Sequence, residues 1–244
     1  MKRRLIATAS VLVCLANAAQ AQTLKNIEQF KPGHSATYLV YEMLPDAGKS
    51  GEDVVWDFSR LKGKPDTMRQ IIAVSNGTKY AATFPKSNIV EQNSDGTYTF
   101  IEATATESKV WGIANPQMTM AYDQPYIFLK HPMTLHDSIS SDCSRTYDSW
   151  GGARGTGTTT MVADGWGTLI LPSGTYKALR VKFTQSYTDI PTNGGAPTQT
   201  AVTTYAWFDE QHQSGLFKID KISINSPYFK KDIEKTSVLI AESN

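Results

Sequence analysis

The stretch Asp164 to Tyr187, DGWGTLILPSGTYKALRVKFTQSY, decides the fold class. Trp166 to Leu171 is a short run of strong strand formers. Pro172-Ser173-Gly174 stops it, because proline presets φ and cannot donate to a ladder, while glycine supplies the turn conformation. The chain resumes at Tyr176, where Leu179, Val181 and Phe183 alternate with Arg180, Lys182 and Thr184. A period of two puts one set on a buried face and the other in water. The stretch therefore predicts a long β-hairpin with Arg180 and Lys182 solvated. Gly165 and Gly167 bracket Trp166, where a bulge or a close backbone approach is expected.

The same pattern extends outward. Ser87 to Gln92 and Thr97 to Thr104 flank Asn93-Ser94-Asp95-Gly96, and Asp-Gly favours a tight hairpin turn. Ala36 to Tyr41 and Val54 to Ser59 predict strands, the latter with Trp56 and Phe58 on one face. Asp66 to Ser75, Glu107 to Ile113, Met118 to Tyr122, Gln199 to Phe208 and Leu216 to Ile224 read likewise. Gln124 to Pro132 is expected as a connection between sheets, and Trp150 to Gly157 as a flexible turn region. Helix-period segments are nearly absent. The expected fold is an all-β antiparallel sandwich, or two closely joined sheets, with little helix.

At the N-terminus, Lys2, Arg3 and Arg4 precede the mostly apolar Leu5 to Leu15, and Ala19-Gln20-Ala21 fits a small-x-small cleavage site. Residues 1–21 are therefore expected to be a cleavable signal peptide, and 22–244 a single β region whose end, from about Phe229, reads either as a strand or as a loose tail. Export implies a periplasmic or extracellular location. A lipoprotein anchored at Cys14 is disfavoured, because Val13 stands where a small residue is wanted. Of 24 basic residues, loss of Lys2, Arg3 and Arg4 leaves 21 against 23 acidic, a net charge of −2. Such a surface argues against nucleic acid as an obligate partner. Only Cys143 remains in the mature part, so no internal disulfide forms, and a half-buried strand position is expected for it.

Two stretches carry a family likeness. Pro45 to Leu61 is a proline- and glycine-bearing loop followed by VVWDFSRL, and DGWGTLILPSGTYKALRVK is preceded by YDSWGG at Tyr147 to Gly152. Together they resemble a group of uncharacterised secreted β-proteins often found ahead of a C-terminal type IX secretion sorting domain. The resemblance implies export and a β fold, and carries no catalytic residues. Asn244 follows closely on the last expected strand, so no sorting domain is expected here.

Chemistry is sparse. His131 and His136 are five apart, which places them on opposite faces of a regular strand, and four scattered histidines are expected at the surface; no metal site or cofactor is called for. No G-x-S-x-G elbow is present. Glu91, Glu102, Glu107, Asp164, Asp209 and Glu210 supply acids for a glycosidase pair, but spacing selects none. Exposed aromatics are the remaining lead: Trp150, Trp166, Tyr147 and Tyr187, with Asp164, are the candidate ligand-binding residues of a sugar-stacking platform. The expected function is a non-enzymatic binding or structural module of the cell envelope, with a glycan or an envelope protein as partner. The alternatives are a secreted carbohydrate-active hydrolase with two carboxylates in one cleft, and assembly by strand addition at an open edge.

Overall fold

A computed structural model describes residues 23–25, 30–149 and 151–243. The expected signal peptide and Trp150 lie outside the described residues.

In chain order the strands are β1 (Thr23–Leu24), β2 (Ser35–Tyr41), β3 (Gly51–Asp57), β4 (Asp66–Val74), β5 (Ile89–Asn93), β6 (Tyr98–Ala103), β7 (Glu107–Ala114), β8 (Thr119–Lys130), β9 (Met133–Thr134), β10 (Ser138–Tyr147), β11 (Ala153–Leu171), β12 (Gly174–Pro191), β13 (Thr198–Phe208), β14 (Phe217–Ser226) and β15 (Phe229–Ser243). Two short 3-10 turns, Ser75–Gly77 and Ala81–Thr83, are the helical content of the described residues.

The all-β, antiparallel expectation holds, but the sandwich does not. β4 to β8 and β10 to β15 form an up-and-down meander, β10 pairs with β11, and β2 joins β15 to β4. The result is a closed barrel of twelve strands. Closure removes the sheet edges that a sandwich leaves to be protected. The central hairpin is longer than the sequence suggests: β11 and β12 pair from Ala153↔Pro191 to Leu171↔Gly174 around Pro172-Ser173. The expected bulge lies between Ala163 and Gly165.

Three local expectations are corrected. Ala153 to Gly157 is strand rather than flexible turn, because Gly155 and Gly157 sit where any Cβ would collide with Asp189 or with Ser186 and Tyr187. Gln124 to Lys130 continues β8, past Pro125, with register shifts against both neighbours. The end of the chain takes the strand reading: residues from Phe229 form β15, paired with β14 from Phe229 to Val238 and with β2 from Thr236 to Ser243. Arg180 is buried, not solvated.

That last correction follows from the strap, residues 42–65. Leaving β2, it crosses the outer faces of β15, β14, β13 and β12, and lays β3 parallel to the far half of β11. Trp56 and Phe58 share a face, as their spacing predicts, and pack on Trp207 at ring distances of 5.8 and 5.4 Å. Phe58 stacks on Phe217 at 4.3 Å. Arg180 holds the strap down: Nη1 donates to the carbonyls of Ala47 (2.6 Å) and Gly48 (3.1 Å), while Nε and Nη2 bind the Asp164 carboxylate at 2.7 and 3.1 Å. Elsewhere Phe84 stacks on Phe100 outside the wall, above Gly112.

One barrel end is filled from within. β1 pairs with β9, and Leu24 and Met133 join Leu129, Leu179 and Val181 in an apolar plug. Outward positions are polar on two neighbouring parts of the wall, with Ser138, Ser140 and Asp142 on β10 and Lys182, Thr184, Ser186 and Thr188 on β12.

Candidate ligand-binding lumen

A twelve-stranded ring is wider than the eight-stranded barrels whose side chains nearly fill the interior. Here the inward residues leave a cavity of about 230 Å3. Five aromatic rings line it: Tyr38 from β2, Tyr126 and Phe128 from β8, Phe183 from β12 and Phe208 from β13. Phe128 and Phe183 stack at 5.3 Å. The polar part of the lining is Gln70 from β4, Glu91 from β5, Thr204 from β13, and Lys218 and Asp220 from β14.

The strap explains the polar lining. On β14, Phe217 and Ile219 alternate with Lys218 and Asp220, and the apolar pair faces outward under the strap. The charged pair must then face the lumen. There Thr204 donates to Asp220 at 2.6 Å, and Lys218 Nζ lies 3.2 Å from the same carboxylate. Glu91 is half-buried and lines the cavity. Burial pushes its carboxyl above the usual range, outweighing the positive charge of Lys218 and hydrogen bonding with Asn93 and Gln70.

The sign of that shift makes a prediction. A carboxyl whose folded pKa is raised binds its proton more tightly when folded, so stability falls as pH climbs from the unfolded value through the folded one. Glu91→Gln is expected to stabilise the protein at neutral pH and to flatten this decline. Urea midpoints between pH 4 and 8 check it; an unchanged slope would mean that Glu91 ionises freely in the fold.

Toward the end away from the plug lies a second polar group. Arg145 Nε and Nη2 bind the Asp189 carboxylate at 3.0 and 2.7 Å, and the guanidinium sits 3.6 Å from the centre of the Tyr187 ring and 5.2 Å from that of Tyr147. Burial opposes the charge on Arg145, but its hydrogen bonds to Asp189 more than compensate, so the guanidinium stays ionised. Burial pushes the phenols of Tyr126, Tyr147 and Tyr187 up, so they act as neutral hydrogen-bonding groups. Tyr187 and Tyr122 hydroxyls meet at 3.2 Å. Cys143, buried on β10, is pushed up by burial and remains a thiol.

The sequence-derived ligand residues do not form one platform. Tyr147 and Tyr187 meet over Arg145, with Tyr187 buried inside the wall. Trp166 packs half-buried against the plug, nine residues along β11 from the Gly157 that faces Tyr187, or roughly 30 Å at strand rise. Asp164 lies on the outer face, occupied by Arg180. Of the histidines, His136 is exposed, but His34 is buried, correcting the surface expectation. Its Nε2 lies 2.8 Å from Ser214 Oγ and 3.7 Å from Glu242. Among the described residues no three His, Cys, Asp or Glu side chains are grouped to hold a metal.

Comparison with family models, curated proteins and solved structures gives no match. The lumen is therefore read from its own geometry. Of its polar residues the sequence singled out Glu91 alone, as one acid among many. Lys218 and Asp220 pass for solvated positions until the strap is known to cover the other face.

Proposed function

We propose that the barrel is a non-enzymatic binding protein of the cell envelope that holds one small molecule in its lumen. The observation that carries this is the 230 Å3 cavity, whose lining combines five aromatic rings with a few polar groups. Ligand sites combine these two features, apolar walls for affinity and sparse polar groups for orientation. Export rests on the N-terminal pattern at residues 1–21. A glycan, if it is the ligand, enters as a small saccharide rather than as a polymer stacked on a surface platform.

The test is titration with an uncharged apolar fluorophore, N-phenyl-1-naphthylamine, into wild type and Ala206→Phe. Ala206 lines the cavity and is 5 % exposed, so a phenyl group there occupies ligand space. Single-site binding that falls at least tenfold in the variant, with unchanged circular dichroism, is the expected result. Equal binding by a folded variant would move the site out of the lumen.

A second reading has its own observation: Glu91 and Asp220 line the same cavity. Two carboxyl groups in one enclosure, one of them pushed up by burial, are the parts of an acid-pair hydrolase of small glycosides. Turnover of aryl glycosides that Glu91→Gln and Asp220→Asn both abolish would establish it over simple binding.

A further inference from the structure

We propose that the lumen takes a small organic ammonium compound, its charged nitrogen seated between Glu91 and Asp220 and its apolar body against Phe128, Phe183 and Phe208. This rests on the lumenal binding role above and names the ligand class.

The charge balance of the cavity comes first. Its lining contains two carboxyl groups, Glu91 and Asp220, and one ammonium, Lys218. Lys218 is already engaged by Asp220 at 3.2 Å. Arg145 and Asp189 form their own neutral pair nearer the end away from the plug. Lys235, opposite Asp220 in register on β15, is exposed and does not line the cavity. The unbalanced group is thus a carboxyl, and its complement is one positive charge. An anionic ligand would bring a third acid into the enclosure, against a lysine that already has a carboxylate.

The aromatic rings point the same way. Ring faces attract cations through their quadrupole, and the attraction grows when water is excluded. The cavity of about 230 Å3 has room for an aromatic ring or a short chain bearing an amine.

Ligand uptake is linked to a proton. Glu91 is faced by Gln70 from β4 and Lys218 from β14, hydrogen-bonds with Asn93 on its own strand, and shares a small adjoining space with His34 and Ser214, behind which stands Glu242. A cation beside Glu91 favours the carboxylate. The amine therefore enters as its ammonium, and whatever fraction of Glu91 still carries a proton gives it up to solvent. Affinity is expected to weaken as pH falls.

Benzylamine, benzyl alcohol and benzoate share one body and differ in charge, so calorimetric titration with all three tests the proposal. Benzylamine is expected to bind at least tenfold tighter than benzyl alcohol, with benzoate weakest. Repeating the titration in two buffers of different ionisation enthalpy should show proton release that Glu91→Gln abolishes, together with the preference for benzylamine. Equal affinities for all three, or tightest binding of benzoate, would overturn the ammonium assignment. If the three probes fail while N-phenyl-1-naphthylamine still binds in the lumen, the ligand class falls and the binding role stands. If that fluorophore fails too, both fall.

Discussion

Replacing Arg180 by methionine is expected to lower the unfolding free energy by about 3–5 kcal/mol, the range for removing one member of a buried charge pair. Arg180 is 2 % exposed. The substitution leaves Asp164 without its partner and frees the Ala47 and Gly48 carbonyls, two polar points at which the strap is tied to β12. The methionine stem replaces some of the packing against Trp56, Tyr205 and Trp207, whose ring centres lie 5.0–5.7 Å from the guanidinium carbon. Urea unfolding followed by tryptophan fluorescence reads the loss. Limited trypsin digestion gives the local readout, since Lys49, Arg60, Lys62 and Lys64 all lie in the strap. Early cleavage there, before the barrel is cut, is the expected pattern. A loss below about 1 kcal/mol would mean that Trp56 and Phe58 hold the strap without the arginine.

The second large effect is expected at Asp189. Asp189→Ala strands the Arg145 guanidinium in the wall, where it is 6 % exposed, and should also cost about 3–5 kcal/mol. Pairing it with Arg145→Met removes the orphaned charge, and the double variant is expected to recover most of the loss. Chemical denaturation of the two single variants and the double variant forms a closed cycle. Additive losses would show that the two side chains stabilise the barrel independently. Gly155 adds a second check: a Cβ there meets the Asp189 carboxylate, so Gly155→Ala should be better tolerated once Asp189 is alanine.

Much of the wall was legible in the sequence. The alternation of Leu179, Val181 and Phe183, the Asp95-Gly96 turn and the shared face of Trp56 and Phe58 all reappear, because each is fixed by neighbours close in the chain. Closure was not legible. It depends on β2 pairing with β15 across nearly the whole chain, and a strand's pattern does not say which strand lies beside it. The lumen was hidden for a related reason. Alternation tells which residues share a face, and apolar faces are ordinarily assigned to the interior. On β14 the assignment inverts: Phe217 and Ile219 are buried outside the ring because the strap covers them, and Lys218 and Asp220 turn inward. Gly155 and Gly157 misled in the same way, since a glycine needed for close packing looks like a glycine needed for flexibility.

The wiring of the ring also sets an order of assembly. From β4 to β15 each wall strand joins one that is near it in the chain, so hairpins can form and add to one another with short loops to close. The β2–β15 seam is different, for Ser35 pairs with Ser243. Its closure entropy is the largest in the molecule, though it grows only logarithmically with loop length. The seam is thus the natural last step, and until it forms the growing sheet has bare flanks open to a second copy of the chain. The part of β15 that stays beyond β2 after closure, FKKDIEK at Phe229 to Lys235, is densely charged. Those charges guard the nascent sheet during the interval when it has most to lose.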